Sequence, residues 1–204
     1  MKKTLVVATT NPGKLAEITL AVAGYGYELR PWPAGALPEA GASMRQNAIQ
    51  KAVAAARYTG TMALADDTGL VVHAIGGRPG VHAARWAGPT ASAELRNRLL
   101  LALLAPVPFE ARTAEFVCVA CVAWPEGQVV TATGVLPGLI LREPQGARGF
   151  GYDPLFWLPD RGCTLAELDS AQKNAISHRG QALRALFAKL SSMGIAVGEA
   201  QGDA

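Results

Sequence analysis

The 204-residue sequence is short of charge and of long apolar runs, and each shortage excludes a class of protein. Only 17% of the residues are charged, the formal net charge is +3, and no lysine or arginine block stands out, so we expect no nucleic-acid partner. The longest apolar segment, LLLALLAPVPF, is broken by Pro106 and Pro108 and cannot span a bilayer, so we expect no membrane association.

The sequence also has few sulfur and histidine side chains. Three cysteines do not make a disulfide framework. Cys118 and Cys121 lie three apart in RTAEFVCVACVAW, which is typical of a strand, so their side chains should point to opposite faces as buried thiols. The apolar stretch near the start ends after about six residues, short of a signal-peptide core, and we expect a cytoplasmic protein.

What is present is an alternation of strand and helix patterns. Half of the residues are apolar, enough for a sizeable core. The alternation predicts one α/β domain with a mixed sheet over residues 1–191, followed by a loose tail over residues 192–204. The helices are expected after Asn11, from Ser43 to Tyr58, in SAELRNRLLLALLA, and along the apolar face formed by Leu183, Leu186, Phe187 and Leu190.

The segment TTNPGK joins the first strand to the first helix. Asn11 suits the N-cap and Pro12 the first helical position. Lys14 in the first turn opposes the helix dipole unless an anion binds there. The segment therefore favours either a phosphate cradle or a plain cap with an exposed lysine.

The segment LADDTGL carries two adjacent carboxylates, Asp66 and Asp67, between apolar flanks. We expect two strands joined by a tight turn at Asp67, Thr68 and Gly69. Neighbouring side chains on a strand face opposite ways, so one carboxylate at most should enter a given site. It could hold magnesium together with substrate phosphates or accept a proton from water, and the alternative is an ordinary acidic turn.

Two later segments carry aromatic and cationic side chains. In GFGYDPLF, Phe150 and Tyr152 could stack on a flat base while Asp153 accepts a hydrogen bond, or they could simply anchor the loop. In QKNAISHRGQAL, three possible donors occur at a helix start: Lys173, His178 and Arg179.

In combination and order, ATTNPGKLAEI, ADDTGL with GGRPGVHAARWAG, REPQGARGFGYDPLF and AELDSAQKNAISHRGQAL resemble the non-standard purine NTP pyrophosphatases. The resemblance runs from about Thr4 to Leu190. It implies a two-lobed domain with an elongated, central mixed sheet flanked by helices. It also implies hydrolysis of ITP, dITP and XTP to the monophosphate and pyrophosphate, with Mg²⁺ as the cofactor, by a cytoplasmic homodimer.

The resemblance also implies roles for individual residues. Asp67 would activate the attacking water and bind Mg²⁺ together with Glu39, with Thr68 touching the substrate and Arg85 assisting. The triphosphate would be held by Thr9, Thr10, Asn11, Pro12, Gly13, Lys14 and Lys51. The base would be held by Phe150, Gly151, Tyr152 and Asp153 on one side, and by Lys173, His178 and Arg179 on the other.

Several positions depart from the family pattern, and two alternatives stay open. Met44 and Gln46 stand where an aromatic and an acidic residue are expected, which leaves the geometry of the Glu39 loop undetermined. Ala83 and Trp86 replace a serine and a tyrosine. The alternatives are a pyrophosphatase of similar architecture acting on modified pyrimidine nucleotides, and a nucleotide-binding protein without turnover.

Overall fold

The computed structural model describes residues 3–195, which form a mixed α/β fold. The strands are β1 (Lys3–Val7), β2 (Tyr27–Pro31), β3 (Ala63–Val72), β4 (Pro79–Gly80), β5 (Thr113–Ala123), β6 (Val129–Ile140), β7 (Phe156–Leu158) and β8 (Cys163–Thr164). The helices are α1 (Pro12–Val22), α2 (Met44–Thr59), α3 (Ala93–Leu104), α4 (Ser170–Ile176) and α5 (His178–Ser192).

The strands follow the order β2-β1-β3-β5-β6-β7-β8, with β4 paired to β3. β1 is parallel to β2 and β3, whereas β7 is antiparallel to β6 and β8. The predicted mixed sheet with flanking helices is confirmed. Among the described helices, none has the length and apolar character to cross a membrane.

The described chain divides into two compact units, and the division points fall within β3, β5 and β6 and between α4 and α5. Unit 1 comprises residues 3–67, 118–134 and 177–195 of those described, and unit 2 comprises residues 68–117 and 135–176. Each unit has a hydrophobic core of its own.

Unit 1 has a core on each face of its strands. One core contains side chains of α1 and α5, including Ile18 and Phe187, and it includes Cys118. The other contains the alanine face of α2 and includes Cys121. Both thiols are buried and neither forms a disulfide. Because the two cores lie on opposite faces of the strands, the prediction that the two thiols point to opposite faces is confirmed. Burial raises the pKa of Cys121 to about 12 and keeps that thiol protonated.

The helix boundaries of unit 1 follow their capping residues. The Asn11 side chain accepts hydrogen bonds from the N–H groups of Gly13 and Lys14 and caps α1, as predicted. Ser43 caps α2, and Gly60 ends that helix in the left-handed conformation (φ 64°), where glycine is not strained.

Unit 2 packs α3 and the segment after β6 around Phe116, Ile140 and Phe156. Arg112 is buried, and its guanidinium donates to the backbone oxygens of Leu104, Val107 and Leu141. It thereby satisfies a carbonyl group at the C-terminal end of α3, where intrahelical donors run out.

The prediction of a turn at Asp67, Thr68 and Gly69 is wrong, because β3 runs without interruption from Ala63 to Val72. Asp-Thr-Gly is ordinary turn chemistry in water, but here eight of the ten strand residues are buried. Neighbouring strands provide hydrogen-bond partners for the backbone of β3, and nearby cations neutralise both carboxylates.

α5 ends at Ser192, and residues 196–204 of the expected tail lie outside the described residues.

Candidate active site

Asp66 and Asp67 lie in the middle of β3, at the end of the unit 1 part of that strand. Both are buried, at 1% and 6% exposure. Their side chains point to opposite sides of the strand, as the alternation rule predicts. Asp67 contacts α2, whereas Asp66 contacts α1 and α5.

On the α2 side, both oxygens of Asp67 have partners. Asn47 donates its side-chain N–H to Asp67 Oδ2 at 3.0 Å. Lys51 Nζ lies 3.1 Å from Asp67 Oδ1 and 2.6 Å from Glu39 Oε1. Asn47 and Lys51 are four positions apart on α2 and therefore present their side chains on one face of that helix. The structure thus brings the predicted site residues Glu39, Lys51 and Asp67 together.

The loop that carries Glu39 is tied to the start of α2 by two side chains. Asn47 Oδ1 accepts from the N–H of Gly41 at 2.8 Å, and Gln46 Oε1 accepts from the N–H of Ala42 at 2.8 Å. Gln46 is one of the departures from the family pattern, and its amide stabilises this loop through a backbone contact. A side chain at position 41 would collide with Gln46 and Asn47, which accounts for Gly41.

On the other side of β3, Asp66 Oδ2 is the centre of a cationic cluster. Lys14 Nζ lies 3.1 Å away, and Arg179 donates through Nε at 3.2 Å and Nη2 at 3.1 Å. Arg179 is itself 2% exposed, and its Nη1 also pairs with Glu17. Lys14 is therefore directed toward a buried carboxylate of β3, which offsets its unfavourable place in the first turn of α1.

The start of α5 fixes Arg179 and its neighbour His178. Ser177 caps the helix through its hydroxyl, which accepts from the N–H of Gly180 at 3.0 Å. The backbone of β6 comes close at Gly134, where a Cβ atom would collide with the His178 carbonyl oxygen and lie 2.6 Å from the N atom of Ala182. Glycine at position 134 therefore lets β6 approach the first turn of α5.

The two carboxylates have pKa values displaced in opposite directions. Burial alone would raise the pKa of Asp66, but the charges of Lys14 and Arg179 hold it well below its usual range. Burial raises the pKa of Asp67, against the opposing effect of Lys51 and Lys14. Burial would lower the pKa of Lys51, yet Asp67 and Asp66 raise it above its ordinary value, so the ammonium keeps its charge at neutral pH.

In unit 2, the glycine-rich loop is organised by Asp153. Its Oδ2 accepts from the N–H of Phe150 at 2.7 Å and pairs with Lys173 Nζ at 2.5 Å. The Lys173 ammonium also lies 4.8 Å from the centre of the Phe150 ring, within range of a cation–π interaction. Three residues predicted to hold the base, Phe150, Asp153 and Lys173, are thus brought together.

Tyr152 and Gly151 support the same loop from the core of unit 2. Tyr152 is 5% exposed, and its hydroxyl donates to the carbonyl oxygen of Ala83 at 2.9 Å. Burial raises the pKa of this phenol to about 12, so it remains a donor at neutral pH. Asn97 of α3 donates to the carbonyl oxygen of Gly151 at 3.1 Å. The ring of Tyr152 therefore belongs to the core, and its predicted contact with a base stays a prediction.

The remaining predicted residues lie at exposed or half-buried positions of their own units. Thr9, Thr10, Asn11, Pro12 and Gly13 form the loop and first turn before Lys14, and Asn11 N–H donates to Thr9 Oγ1 at 3.1 Å. Thr68 is half-buried on β3, next to Asp67. Arg85 is half-buried in the turns after β4. Their predicted substrate contacts stay predictions.

The carboxylate oxygens around Lys51 are of the type that magnesium prefers as ligands. Glu39 and Asp67 converge on one cation, and Mg²⁺ is commonly held by one or two carboxylates together with substrate phosphates. Residues 3–195 contain no group of three or more His, Cys, Asp or Glu side chains that could hold a metal ion. The pair of carboxylates matches a metal that arrives with a phosphate ligand rather than a closed metal cage.

Sequence reasoning missed the residues that position this site. Glu17 lies three positions after Lys14, and Asn47 four before Lys51, so helical spacing could have placed each beside its lysine. Gly134 interrupts a strand pattern, which is a signal for close backbone approach. The pairing of Asp66 with Arg179 had no local signal, because 113 residues separate them.

The chain belongs to the Ham1 family, whose model matches residues 5–189. Among the curated relatives, a dITP/XTP pyrophosphatase of Geobacter sulfurreducens is 47% identical over 195 residues, which cover 94% of this chain and 98% of the relative. A dITP/XTP pyrophosphatase of Desulforamulus reducens is 48% identical over 186 residues, 88% of this chain and 92% of the relative.

Solved structures agree with this membership. The structure of a HAM1 protein from Coxiella burnetii superposes with a TM-score of 0.83 at 39% identity, and the match covers 94% of this chain and 100% of that protein. The fold and the order of the motifs thus define the same family.

Proposed function

We propose that this protein hydrolyses non-standard purine nucleoside triphosphates, namely dITP, ITP and XTP, to the monophosphate and pyrophosphate. The observation that carries the proposal is the cluster of Glu39, Lys51 and Asp67 in a chain whose curated relatives are named dITP/XTP pyrophosphatases. Carboxylates that can bind a metal and orient a water molecule lie next to a lysine that can bind phosphate. Phosphoryl transfer requires these groups to stabilise charge and to position the nucleophile.

The triphosphate is bound by cations of unit 1. The start of α1 offers the positive end of a helix dipole, and Lys14 extends from its first turn. In the free protein Lys14 is held by Asp66, which fixes the position of its ammonium in advance. Lys51 contributes the second ammonium from α2. Together they neutralise negative charge that shifts as the α–β phosphoanhydride bond breaks.

Asp67 accepts the proton of the attacking water. Asn47 donates a hydrogen bond to Asp67 Oδ2, which fixes the plane of the carboxylate. Oδ1, which contacts Lys51 in the free protein, is therefore the oxygen that can turn to the reacting groups. Glu39 and Asp67 are the residues that would hold Mg²⁺, which when bound supplies Lewis-acid stabilisation of the phosphate oxygens. Proton abstraction and orientation of the water remain tasks of the protein.

Recognition of the base rests on hydrogen-bond donors and an aromatic ring. Phe150 provides a ring for stacking, and Lys173 and Arg179 are donors that can satisfy the 6-oxo group of hypoxanthine or xanthine. Adenine presents an amino group there, which is itself a donor and cannot accept a hydrogen bond from these cations, and this disfavours ATP. Arg179 already has Asp66 and Glu17 as partners, so its guanidinium is oriented before substrate arrives.

We further propose that the enzyme is cytoplasmic and acts as a homodimer on a small-molecule nucleotide. The location and the homodimer rest on family resemblance. The small-molecule substrate rests on the same resemblance and on the shortage of basic blocks, which disfavours a nucleic-acid partner.

The proposal is tested by pyrophosphate release in the presence of Mg²⁺ with ITP, XTP, dITP, GTP, ATP and dTTP. We expect rapid release from the first three substrates and slow release from the others. Binding of every nucleotide with no cleavage would identify a nucleotide-binding protein without turnover. Preference for dTTP or another pyrimidine would favour the pyrimidine alternative, and equal rates for ATP and ITP would refute the argument on the 6-position.

A further inference from the structure

Lys51 occupies the place in unit 1 where its two carboxylate partners converge. Its Nζ lies 2.6 Å from Glu39 Oε1 and 3.1 Å from Asp67 Oδ1. The lysine side chain is 5% exposed, whereas that of Glu39 is 40% exposed. One buried ammonium therefore neutralises both residues that would hold the metal.

A divalent ion that used the same two oxygens would lie close to this ammonium. Like charges at such separations repel strongly when they are partly screened from water. Asp67 cannot readily turn its other oxygen outward, because Oδ2 accepts from Asn47 at 3.0 Å. Asn47 is itself fully buried and bonded to the N–H of Gly41, so this arrangement is fixed by the fold.

A bound triphosphate reduces the repulsion between the Lys51 ammonium and a divalent ion. Its oxygens offer Lys51 a new anionic partner, and they add ligands to a metal that has only two carboxylates from the protein. We propose that Lys51 prevents free divalent metal from binding to Glu39 and Asp67, so that the metal binds only together with the nucleotide. This inference rests on the proposed function, since it assumes that these residues serve a metal–triphosphate complex.

The consequence is positive coupling between the two ligands. Nucleotide draws Lys51 away from the carboxylates and raises their affinity for metal, and by linkage the metal raises the affinity for nucleotide by the same factor. The free enzyme would then resist loading with metal ions that arrive without substrate.

The test is a titration of nucleotide-free protein with Mn²⁺, followed by electron paramagnetic resonance of the unbound ion. Wild type should bind Mn²⁺ weakly, with a dissociation constant of about a millimolar or higher. Lys51→Met, which removes the charge and keeps much of the side-chain volume, should bind at least about tenfold more tightly. If Lys51→Met does not fold, Lys51→Gln takes its place in the same titration.

Three control variants distinguish the effect of the positive charge at position 51 from the effect of the total charge of the protein. Lys51→Arg keeps the charge in place and should bind as weakly as wild type. Lys14→Met removes an equal charge that pairs with Asp66 instead, and its gain should be much smaller than that of Lys51→Met. Adding Glu39→Gln to Lys51→Met should abolish the gain, because the metal then lacks one of its two carboxylates.

Micromolar Mn²⁺ binding by nucleotide-free wild type would overturn the inference, and so would equal affinities of wild type and the neutral Lys51 variants. Neither result bears on the proposed function, which is judged by pyrophosphate release from wild type. If wild type cleaves no nucleotide, the proposed function fails, whatever the metal titration shows.

Discussion

The two sides of strand β3 each carry an aspartate, and the two aspartates lie in different environments. On the α2 side, Asp67 is paired with Lys51 next to a half-exposed Glu39, and burial raises its pKa. On the α1 and α5 side, Asp66 is enclosed by Lys14 and Arg179, which keep its pKa low. Carboxylates whose environments move their pKa values apart commonly have separate roles. Asp67 is suited to chemistry, and Asp66 to holding two helices and their cations in place.

The strongest way to test this contrast is Asp67→Asn. We expect kcat for dITP to fall by about a thousandfold or more, because the amide cannot accept the proton of water and binds metal poorly. Affinity for dITP measured without added metal should be largely retained, since the phosphate-binding lysines remain. Steady-state kinetics and calorimetric titration measure the two quantities. Normal turnover by this variant would remove Asp67 from the mechanism.

Asp66→Asn should act on folding instead. It leaves Lys14 and Arg179 without their shared buried counter-charge, and breaking such a pair costs about 3 kcal/mol of unfolding free energy. Urea denaturation at pH 7 measures the loss. Glu28→Gln removes an exposed carboxylate that pairs with Arg30, and as a control it should change stability by less than about 1 kcal/mol. A loss for Asp67→Asn as large as that for Asp66→Asn would erase the distinction.

Gly134→Ala tests the α5 side alone. The added methyl group collides with backbone at the start of α5, and such overpacking costs about 2 kcal/mol. The same substitution at Gly35, where a Cβ atom would meet nothing within 4 Å, should be nearly neutral. Denaturation of both variants compares them, and equal stabilities would show that α5 adjusts without penalty.

A smaller effect should appear in the pH dependence of stability. Because the folded-state pKa of Asp66 is lowered, its contribution is complete above the unfolded-state pKa of about 4 and is lost as pH falls through the folded-state value. The difference in unfolding free energy between wild type and Asp66→Asn should therefore shrink between pH 7 and pH 3. A constant difference would mean that the charge of Asp66 does not matter for folding.

Local signals predicted much of unit 1. Asn11 and Ser43 marked the starts of α1 and α2, and the period-two rule placed Asp66 and Asp67 on opposite sides of β3. The Asp-Thr-Gly turn was predicted wrongly, because turn propensity describes a chain in water, whereas this segment is buried in a sheet.

The cationic partners of the carboxylates could not be predicted from spacing. Arg179 reaches Asp66 across 113 residues, and only packing of α5 against the strands determines that contact. The two short strands β7 and β8, of three and two residues, lack enough length for a recognisable pattern. The contact of Gln46 with the Glu39 loop depends equally on three-dimensional placement.

The roles proposed for these residues all depend on cleavage of the α–β bond of a non-standard purine triphosphate by this chain. The most direct measurement is identification of the products formed from dITP and Mg²⁺ by wild-type protein, using chromatography of the nucleotide and separate assays for pyrophosphate and orthophosphate. We expect dIMP and pyrophosphate in equal amounts, with no orthophosphate. Formation of dIDP and orthophosphate, or no product at all, would contradict it.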